Sequence, residues 1–374
     1  SFQGGARAAW LERESGAEGE VRGLWRWVTK VSLAAFDRTY ARLGIRHEEV
    51  RGESFYEPML EDTVRRIEAA GVAEESRGAQ IVSLAQVDPG LKETPCLLRQ
   101  SDGTTLYATR DLAALFQRWE EYRFERCLYV VGQEQKLHFR QLKAVLRRME
   151  LDWEPRVEHV DFGLLLGPGR VKLASRKKGQ VLVLDELLDE VVEEARRIVA
   201  EKNPALSPER MDEVAEAVGI GAVVFNDLKR ERVKDVLFDK AEILSFEGET
   251  GPYVQYTHAR LGSILRKAEE AGHGAGGARL DPGDAALLGD AAPILLRLGR
   301  FPDVVAAAAA ACEPSLLSNA LLELCREVNS WYAANRVLGD DAALTRARLA
   351  LVGASKSVIG NGLRLLGLAA PGEM

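Results

Sequence analysis

Tyr107 and Asp111 are the side chains of this sequence best suited to binding a charged small molecule. They stand four residues apart at the start of a predicted helix, so both can lie on one face of it. A carboxylate in this position can accept paired hydrogen bonds from a guanidinium, and a phenol beside it can stack or hydrogen-bond. Taken alone, such a pair is more often a capping Asp and a packing Tyr, so both interpretations stay open.

The stretch from Gly132 to Gln135, with His138 one helical turn further, forms a second candidate group. The apolar run Cys127–Val131 ends at Gly132 and predicts a buried parallel strand, and Gln135 and His138 follow its carboxyl end. Open α/β sheets bind ligands at this edge. Gln133 is an alternative to Gln135, and His138 could instead be an ordinary surface or core histidine.

A third candidate is the basic loop from Ser175 to Gly179, which contains three consecutive cations, Arg176, Lys177 and Lys178. Cations at such a loop can offset negative charge that develops on a transferred phosphate. A run of three cations is also typical of a solvated turn.

Two stripes of apolar residues predict that residues 6–75 are mostly helical, since they recur at spacings of three and four. The first stripe comprises Trp25, Val28, Val31, Ser32, Ala35 and Phe36. The second comprises Tyr56, Met59, Leu60, Val64 and Ile67.

Residues 79–149 have the pattern of an α/β region. Short apolar runs predict strands at 79–84, 97–99 and 127–131, with helices beginning near Thr109 and at His138. Thr109 is the predicted N-cap of the first helix. This alternation indicates part of a doubly wound α/β sheet.

The remainder of the chain is predicted to be almost entirely helical. An acidic helix at 185–202 follows the short apolar run Val181–Leu184, and helices continue from Met211 to the end. Glycine-rich 272–277 and the Asp-Pro-Gly at 281–283 interrupt them as loops. The last predicted helices, at about 304–312, 315–337 and 343–366, complete an all-α unit.

Composition restricts the class of protein. The 374 residues have a net charge of -7, 46% hydrophobic residues and no apolar run near the roughly 20 residues that cross a bilayer. Four dispersed cysteines and five dispersed histidines favour neither a structural zinc site nor disulfides. We therefore expect a cytoplasmic protein without membrane association. Ser1 in place of an initiator Met suggests a processed or cut boundary.

Two long segments of the chain together resemble arginyl-tRNA synthetases. They are the string from Ser101 to Ala114, which contains Leu-Tyr-Ala-Thr-Arg-Asp-Leu-Ala, and the helical end with Trp331-Tyr332, Asn335–Leu338 and the terminal Met374. The resemblance implies a partial Rossmann-like class I synthetase catalytic domain followed by an all-α anticodon-binding helical bundle. It divides the chain into a connective insertion with a sheet segment (1–90), the second Rossmann half (91–170), a KMSKS-like loop with stem-contact helices (171–247) and the anticodon-binding domain (248–374).

The resemblance also implies roles for individual residues. Tyr107, Asp111 and Gln135 match positions that recognise arginine, and His138, Ser175 and Gly179 lie where the family binds ATP. The catalytic cations would be Arg176, Lys177 and Lys178, although Leu173-Ala174 departs from the family's Met-Ser. The residues that match tRNA-binding positions are Tyr253, Tyr256, Arg260, Tyr332 and Met374.

The implied activity is that of an arginine–tRNA ligase with L-arginine, ATP and tRNA(Arg) as partners. Magnesium would arrive with ATP, no structural metal is expected, and the protein is expected to be a monomer. No HIGH-type sequence occurs in the chain, so we expect a fragment that is inactive alone. Glu249–Pro252 replaces the family's Asn-Thr-Ala-Pro. The alternatives are a non-catalytic tRNA-binding protein derived from a synthetase and a cysteinyl-type relative, for which the zinc ligands are missing.

Overall fold

The structure is a computed structural model that describes residues 19–167, 171–172, 184–273 and 286–374. These residues fall into two compact units. The first contains residues 19–36 and 47–162, and the second contains residues 37–46 and the described residues from 163 onward. The predicted basic loop and most of the apolar run Val181–Leu184 lie outside the described residues.

The first unit combines short strands with three helices that follow one another along the chain. Helix α1 (Glu20–Arg42) begins in this unit, and its residues 37–42 belong to the second. The other elements of the first unit are α2 (Leu60–Ala69), β1 (Ala73–Ser76), β2 (Ala79–Val82), β3 (Cys96–Arg99), α3 (Tyr107–Tyr122), β4 (Cys127–Gly132), α4 (Lys136–Arg148) and β5 (Val157–Phe162). The predicted strands and the helices at α3 and α4 are confirmed to within a few residues.

Two separate sheets position the helices of this unit. Strands β1, β2 and β3 form an antiparallel sheet, and β3 buries Cys96 and Leu98. Strands β4 and β5 form a parallel pair in register from Cys127 with Val157 to Gly132 with Phe162. Strand β3 therefore does not join the parallel sheet. The described part of the parallel sheet has two strands, of which β5 was not predicted.

Strand β4 is buried on one face rather than on both. Tyr129 and Val131 face the core, whereas Leu128 is 43% and Val130 is 66% exposed. The prediction of a fully buried strand was wrong because successive side chains of a strand point to opposite faces. An apolar run does not show whether both faces are covered.

The core of the first unit lies between α3, α4 and the strands. Leu112 and Leu115 of α3 and Leu142 and Leu146 of α4 are all fully buried there. Burial of each leucine side chain contributes about 1.5–3 kcal/mol to the free energy of folding. The buried faces of α3 and α4 therefore fix both helices against the strands.

Two further predictions for this unit have different outcomes. The stripe of α2 is confirmed, with Leu60, Val64 and Ile67 buried. The stripe of α1 is not buried: no residue of this helix is buried, and its members Val31 and Phe36 are 51% and 53% exposed. Periodic spacing identified the helix correctly but could not identify a partner for its face.

The second unit is mainly helical. It contains a small sheet with strand order β7-β6-β8, formed by β6 (Leu165–Gly167), β7 (Val171–Lys172) and β8 (Val236–Leu237). Its helices are α5 (Leu184–Lys202), α6 (Pro208–Leu228), α7 (Lys240–Ile243), α8 (Gly251–Glu270), α9 (Ala292–Ala311), α10 (Ser315–Ala334) and α11 (Ala342–Leu365). The predicted helices at 185–202, 315–337 and 343–366 are confirmed.

Glycines allow the helices of the second unit to approach closely. A Cβ on Gly362 of α11 would lie 2.5 Å from a methyl of the fully buried Leu321 on α10. A Cβ on Gly221 of α6 would lie 2.7 Å from the amide of Gln255 on α8. These contacts leave no space for a larger side chain.

Within the described ranges, no helix has the length and hydropathy required to cross a membrane.

Candidate functional site

Helix α3 presents Tyr107 and Asp111 at its first turn. Leu106 precedes the helix in an extended conformation, and Tyr107 is 49% exposed. Thr109 and Arg110, in the same turn, are buried. The helix thus fixes its start through buried residues while Tyr107 and Asp111 remain accessible.

The predicted N-cap role of Thr109 was wrong. Thr109 lies inside the helix, where its hydroxyl donates a hydrogen bond of 2.5 Å to the backbone carbonyl of Leu98 on β3. A threonine hydroxyl can bond to a helix terminus or to a neighbouring strand, and sequence does not distinguish between them. The bond ties the first turn of α3 to the sheet.

Helix α4 brings His138 to the same place. Its Nε2 lies 2.6 Å from Oδ2 of Asp111, and its ring centroid lies 4.9 Å from that of Tyr107. The side chains of His138 and Asp111 are 19% and 22% exposed. The Asp111 carboxylate therefore contacts His138 directly and remains partly exposed to solvent.

Burial raises the pKa of the Tyr107 phenol, and the negative charges of Asp111 and Glu53 raise it further. The phenol consequently stays protonated at neutral pH and can donate a hydrogen bond. A neutral phenol beside an anionic carboxylate suits a cationic ligand that also presents polar groups.

Gln135 ends the short 3-10 helix Gln133–Gln135, between the carboxyl end of β4 and the start of α4. It lies one turn before His138 and is half-buried, as is Gln133. Glu134 is exposed, and its carboxylate lies over Gly132, where a Cβ would meet it at 2.5 Å. Gln135 is thus placed at the edge predicted for ligand binding.

An ion pair at this edge was not predicted. Lys136 Nζ lies 2.6 Å from Oδ2 of Asp161, whose side chain is only 11% exposed. Asp161 pairs with Val131 near the carboxyl end of β5. Because β5 was not recognised, no sequence signal connected Asp161 with this edge. The described part of the chain contains no group of three or more His, Cys, Asp or Glu side chains arranged to hold a metal ion.

The residues predicted to handle phosphates cannot be placed in this geometry. They are Ser175, Arg176, Lys177, Lys178 and Gly179, all of which lie outside the described residues.

In the second unit, Tyr253, Tyr256 and Arg260 lie along α8 and share one polar network. Arg260 donates hydrogen bonds of 3.1 Å to Tyr256 and to Asn329 of α10, and its guanidinium stacks 4.8 Å from the Tyr256 ring centroid. The Asn329 amide donates to the Tyr253 hydroxyl at 3.1 Å and to the Thr257 hydroxyl at 2.9 Å. Asn329 was missed by sequence reasoning. It organises three of these side chains.

Tyr332 and Met374 lie in different parts of the second unit. Tyr332 is half-buried and packs on the core that contains Trp331. Met374 packs against the cluster between α5 and α6, and its carbonyl accepts a hydrogen bond of 3.2 Å from Asn203. The structure therefore brings three of the five predicted tRNA-binding residues into one network.

Comparisons with known proteins identify two matching families. The family described as "tRNA synthetases class I (R), catalytic domain" matches residues 1–240, and "DALR anticodon binding domain" matches residues 254–374. The arginine–tRNA ligases of Ligilactobacillus salivarius and Lactobacillus johnsonii are each 43% identical over 98% of the chain, which covers 62% and 63% of their lengths. The solved arginyl-tRNA synthetase of Thermus thermophilus has a TM-score of 0.81 and 30% identity, covering 94% of this chain and 65% of that one.

The chain thus spans somewhat less than two thirds of the length of these relatives. It contains a class I synthetase catalytic region followed by a helical anticodon-binding domain of the DALR type. These matches show that the chain belongs to the arginyl-tRNA synthetase family.

Proposed function

We propose that this chain supplies the arginine-binding and tRNA-binding parts of an arginine–tRNA ligase. The observation that carries the proposal is the partly exposed Asp111 carboxylate, which contacts His138 of α4 and follows Tyr107 by four residues on α3. Recognition of a guanidinium requires an anion with planar, paired acceptors.

The proposed reaction has two steps. The arginine carboxylate attacks the α-phosphate of ATP, forming arginyl-adenylate and releasing pyrophosphate. A ribose hydroxyl at the 3′ end of tRNA(Arg) then attacks the activated carbonyl and releases AMP. Neither step needs a nucleophile from the protein, because positioning and charge stabilisation supply the acceleration.

In this proposal Asp111 accepts hydrogen bonds from the guanidinium of arginine, and Tyr107 and Gln135 hold the rest of the amino acid. The partial burial of Asp111 strengthens the interaction, because a charge-assisted hydrogen bond contributes about 1.5–3 kcal/mol.

The ATP side is proposed from the family resemblance. His138, Ser175 and Gly179 would lie along the nucleotide, and Arg176, Lys177 and Lys178 would offset the charge of the departing pyrophosphate. Magnesium would enter bound to ATP and neutralise part of the phosphate charge.

For tRNA, the proposed contacts are Tyr253, Tyr256 and Arg260 on α8, together with Tyr332 and Met374. Arg260 can bind phosphate, and an accessible tyrosine ring can stack on an unpaired base, an interaction of about 1–3 kcal/mol. The network around Asn329 supports this by fixing Arg260 against Tyr256.

Calorimetric titration of the 374-residue polypeptide with L-arginine tests the arginine site. We expect Asp111→Asn to weaken binding by about tenfold to hundredfold, the equivalent of one charge-assisted hydrogen bond. Citrulline, a neutral analogue, should bind weakly to both proteins. The exposed Asp152 provides a matched control, since Asp152→Asn removes a carboxylate from the same unit. Equal arginine affinity of the parent protein and Asp111→Asn would reject the assignment.

A second assay concerns activation of arginine. We expect no tRNA-dependent exchange between ATP and pyrophosphate with this polypeptide alone, because no HIGH-type sequence is present in its 374 residues. Robust exchange would show that the ATP site is built from other residues than those proposed.

A further inference from the structure

We propose that His138 is a positioning residue that orients the Asp111 carboxylate for the guanidinium of arginine. This inference rests on the proposed arginine site and adds a specific function for the His138 ring. The carrying observation is the 2.6 Å separation between His138 Nε2 and Asp111 Oδ2, which joins side chains 27 residues apart in sequence.

The contact occupies only one oxygen of the carboxylate. An ionised carboxylate offers two oxygens and about four acceptor positions, so a single N–H donor at Oδ2 leaves Oδ1 and one position on Oδ2 for a ligand. A guanidinium can use these remaining positions with its planar donors. The imidazole thus restricts rotation of the carboxylate without blocking the ligand.

The imidazole itself is held by packing on two sides. Its ring centroid lies 4.9 Å from that of Tyr107 and 5.3 Å from that of Phe139, which is buried. Phe139 in turn stacks on His159 of β5 at 4.5 Å. The His138 ring is therefore held by direct contacts with Tyr107 on α3 and Phe139 on α4. A carboxylate held in advance loses less freedom when the ligand binds.

The arrangement also requires a proton on Nε2. A neutral imidazole donates from one nitrogen and accepts at the other, and an acceptor at Nε2 would repel the carboxylate. With the proton on Nε2, Nδ1 remains an acceptor that can face the bound substrates. This requirement separates positioning from simple packing, which is indifferent to the tautomer.

Long-range proton–nitrogen correlation spectra of the free 374-residue protein test the contact directly. We expect His138 to carry its proton on Nε2 at neutral pH, and Asp111→Asn to shift that nitrogen resonance. A spectrum showing His138 with an unprotonated Nε2 would overturn the proposal whether or not arginine binds.

Arginine titrations of two variants complete the test. His138→Gln keeps an N–H donor near the position of Nε2, and we expect it to retain affinity within about threefold. His138→Leu removes the donor, and we expect affinity to fall by about tenfold to hundredfold, as for loss of a hydrogen bond to a charged group. Equal affinities for both variants and the parent protein would refute the positioning role.

His159→Leu is the matched control, because His159 stacks on the same Phe139 but bonds the backbone carbonyl of Val131 instead of Asp111. It should lower the melting temperature without changing arginine affinity. If His159→Leu weakened arginine binding as much as His138→Leu does, a general loss of packing around Phe139 would explain both effects. The positioning role of His138 would then be refuted. Failure of the proposed function has a different signature: Asp111→Asn would then bind arginine as well as the parent protein.

Discussion

Replacing Asn329 with alanine should disconnect the polar network on α8. Asn329 makes three side-chain hydrogen bonds: it donates to Tyr253 at 3.1 Å and to Thr257 at 2.9 Å, and it accepts from Arg260 at 3.1 Å. Each such bond contributes about 0.5–1.5 kcal/mol. Since the site is half-buried and water can replace part of the loss, we expect the free energy of unfolding to fall by about 1–3 kcal/mol.

The same substitution has a spectroscopic consequence at Tyr253. Burial raises the pKa of this phenol, while the hydrogen bond from Asn329 lowers it. Removing the amide therefore moves the pKa further upward. Absorbance titration of tyrosinate at alkaline pH measures this shift, and urea denaturation measures the stability.

Asn361 provides the control, because it is exposed on α11 and bonds only Arg364 one turn away among the described side chains. Asn361→Ala should change stability by less than about 0.5 kcal/mol. If Asn329→Ala leaves both the stability and the tyrosine titration unchanged, the network does not exist in solution. If the network forms but tRNA binding is unaffected by its loss, Arg260 and Tyr253 are not contacts for tRNA.

Two further predictions concern packing and pH. Gly362→Ala should destabilise the protein by about 1–3 kcal/mol, since its Cβ would overlap the buried Leu321, whereas Gly299→Ala in the open interior of α9 should stabilise it by up to about 1 kcal/mol. Chemical denaturation of both variants checks the contrast, and equal effects would contradict it. Burial lowers the pKa of His258 below 6.5, with Lys356 and Arg364 adding to the shift and the Pro371 carbonyl opposing it. The unfolded chain then takes up the proton first, so stability should decline as pH falls below about 6.5. His258→Gln should flatten that part of the stability curve; an unchanged slope would assign the pH dependence to other groups.

Local patterns were sufficient to predict much of the fold. The spacing of Leu60, Val64 and Ile67 predicted a buried helix face, and the apolar residues 127–131 predicted a strand. Both predictions rest on patterns that extend over only a few residues of sequence. Strand β5 was missed because its sequence Val-Glu-His-Val-Asp-Phe contains charged side chains and lacks the continuous apolar run that predicted β4.

The candidate site was predicted only in part, because its members come from distant segments. The four-residue spacing placed Tyr107 and Asp111 together on α3, and the family resemblance added Gln135 and His138. The contact between His138 and Asp111 depends on how α3 and α4 pack, and the bond from Thr109 to Leu98 depends on the neighbouring sheet. Neither is encoded in local spacing. The four-part division of the chain stays a prediction.

The close glycine contacts between α6 and α8 have a consequence for how this molecule is dissected. Helix α6 lies within the region matched by the catalytic family and α8 within or next to the anticodon-binding match, yet the carbonyl of Gly221 would meet a Cβ on Gly251 at 2.5 Å. Phe225 of α6 is fully buried in the same cluster as Leu321 and Leu363. The boundary between the two inherited modules therefore does not coincide with a boundary in folding. Cutting the polypeptide between the two matched regions would therefore divide one hydrophobic core. It would not release an anticodon-binding domain that has a core of its own.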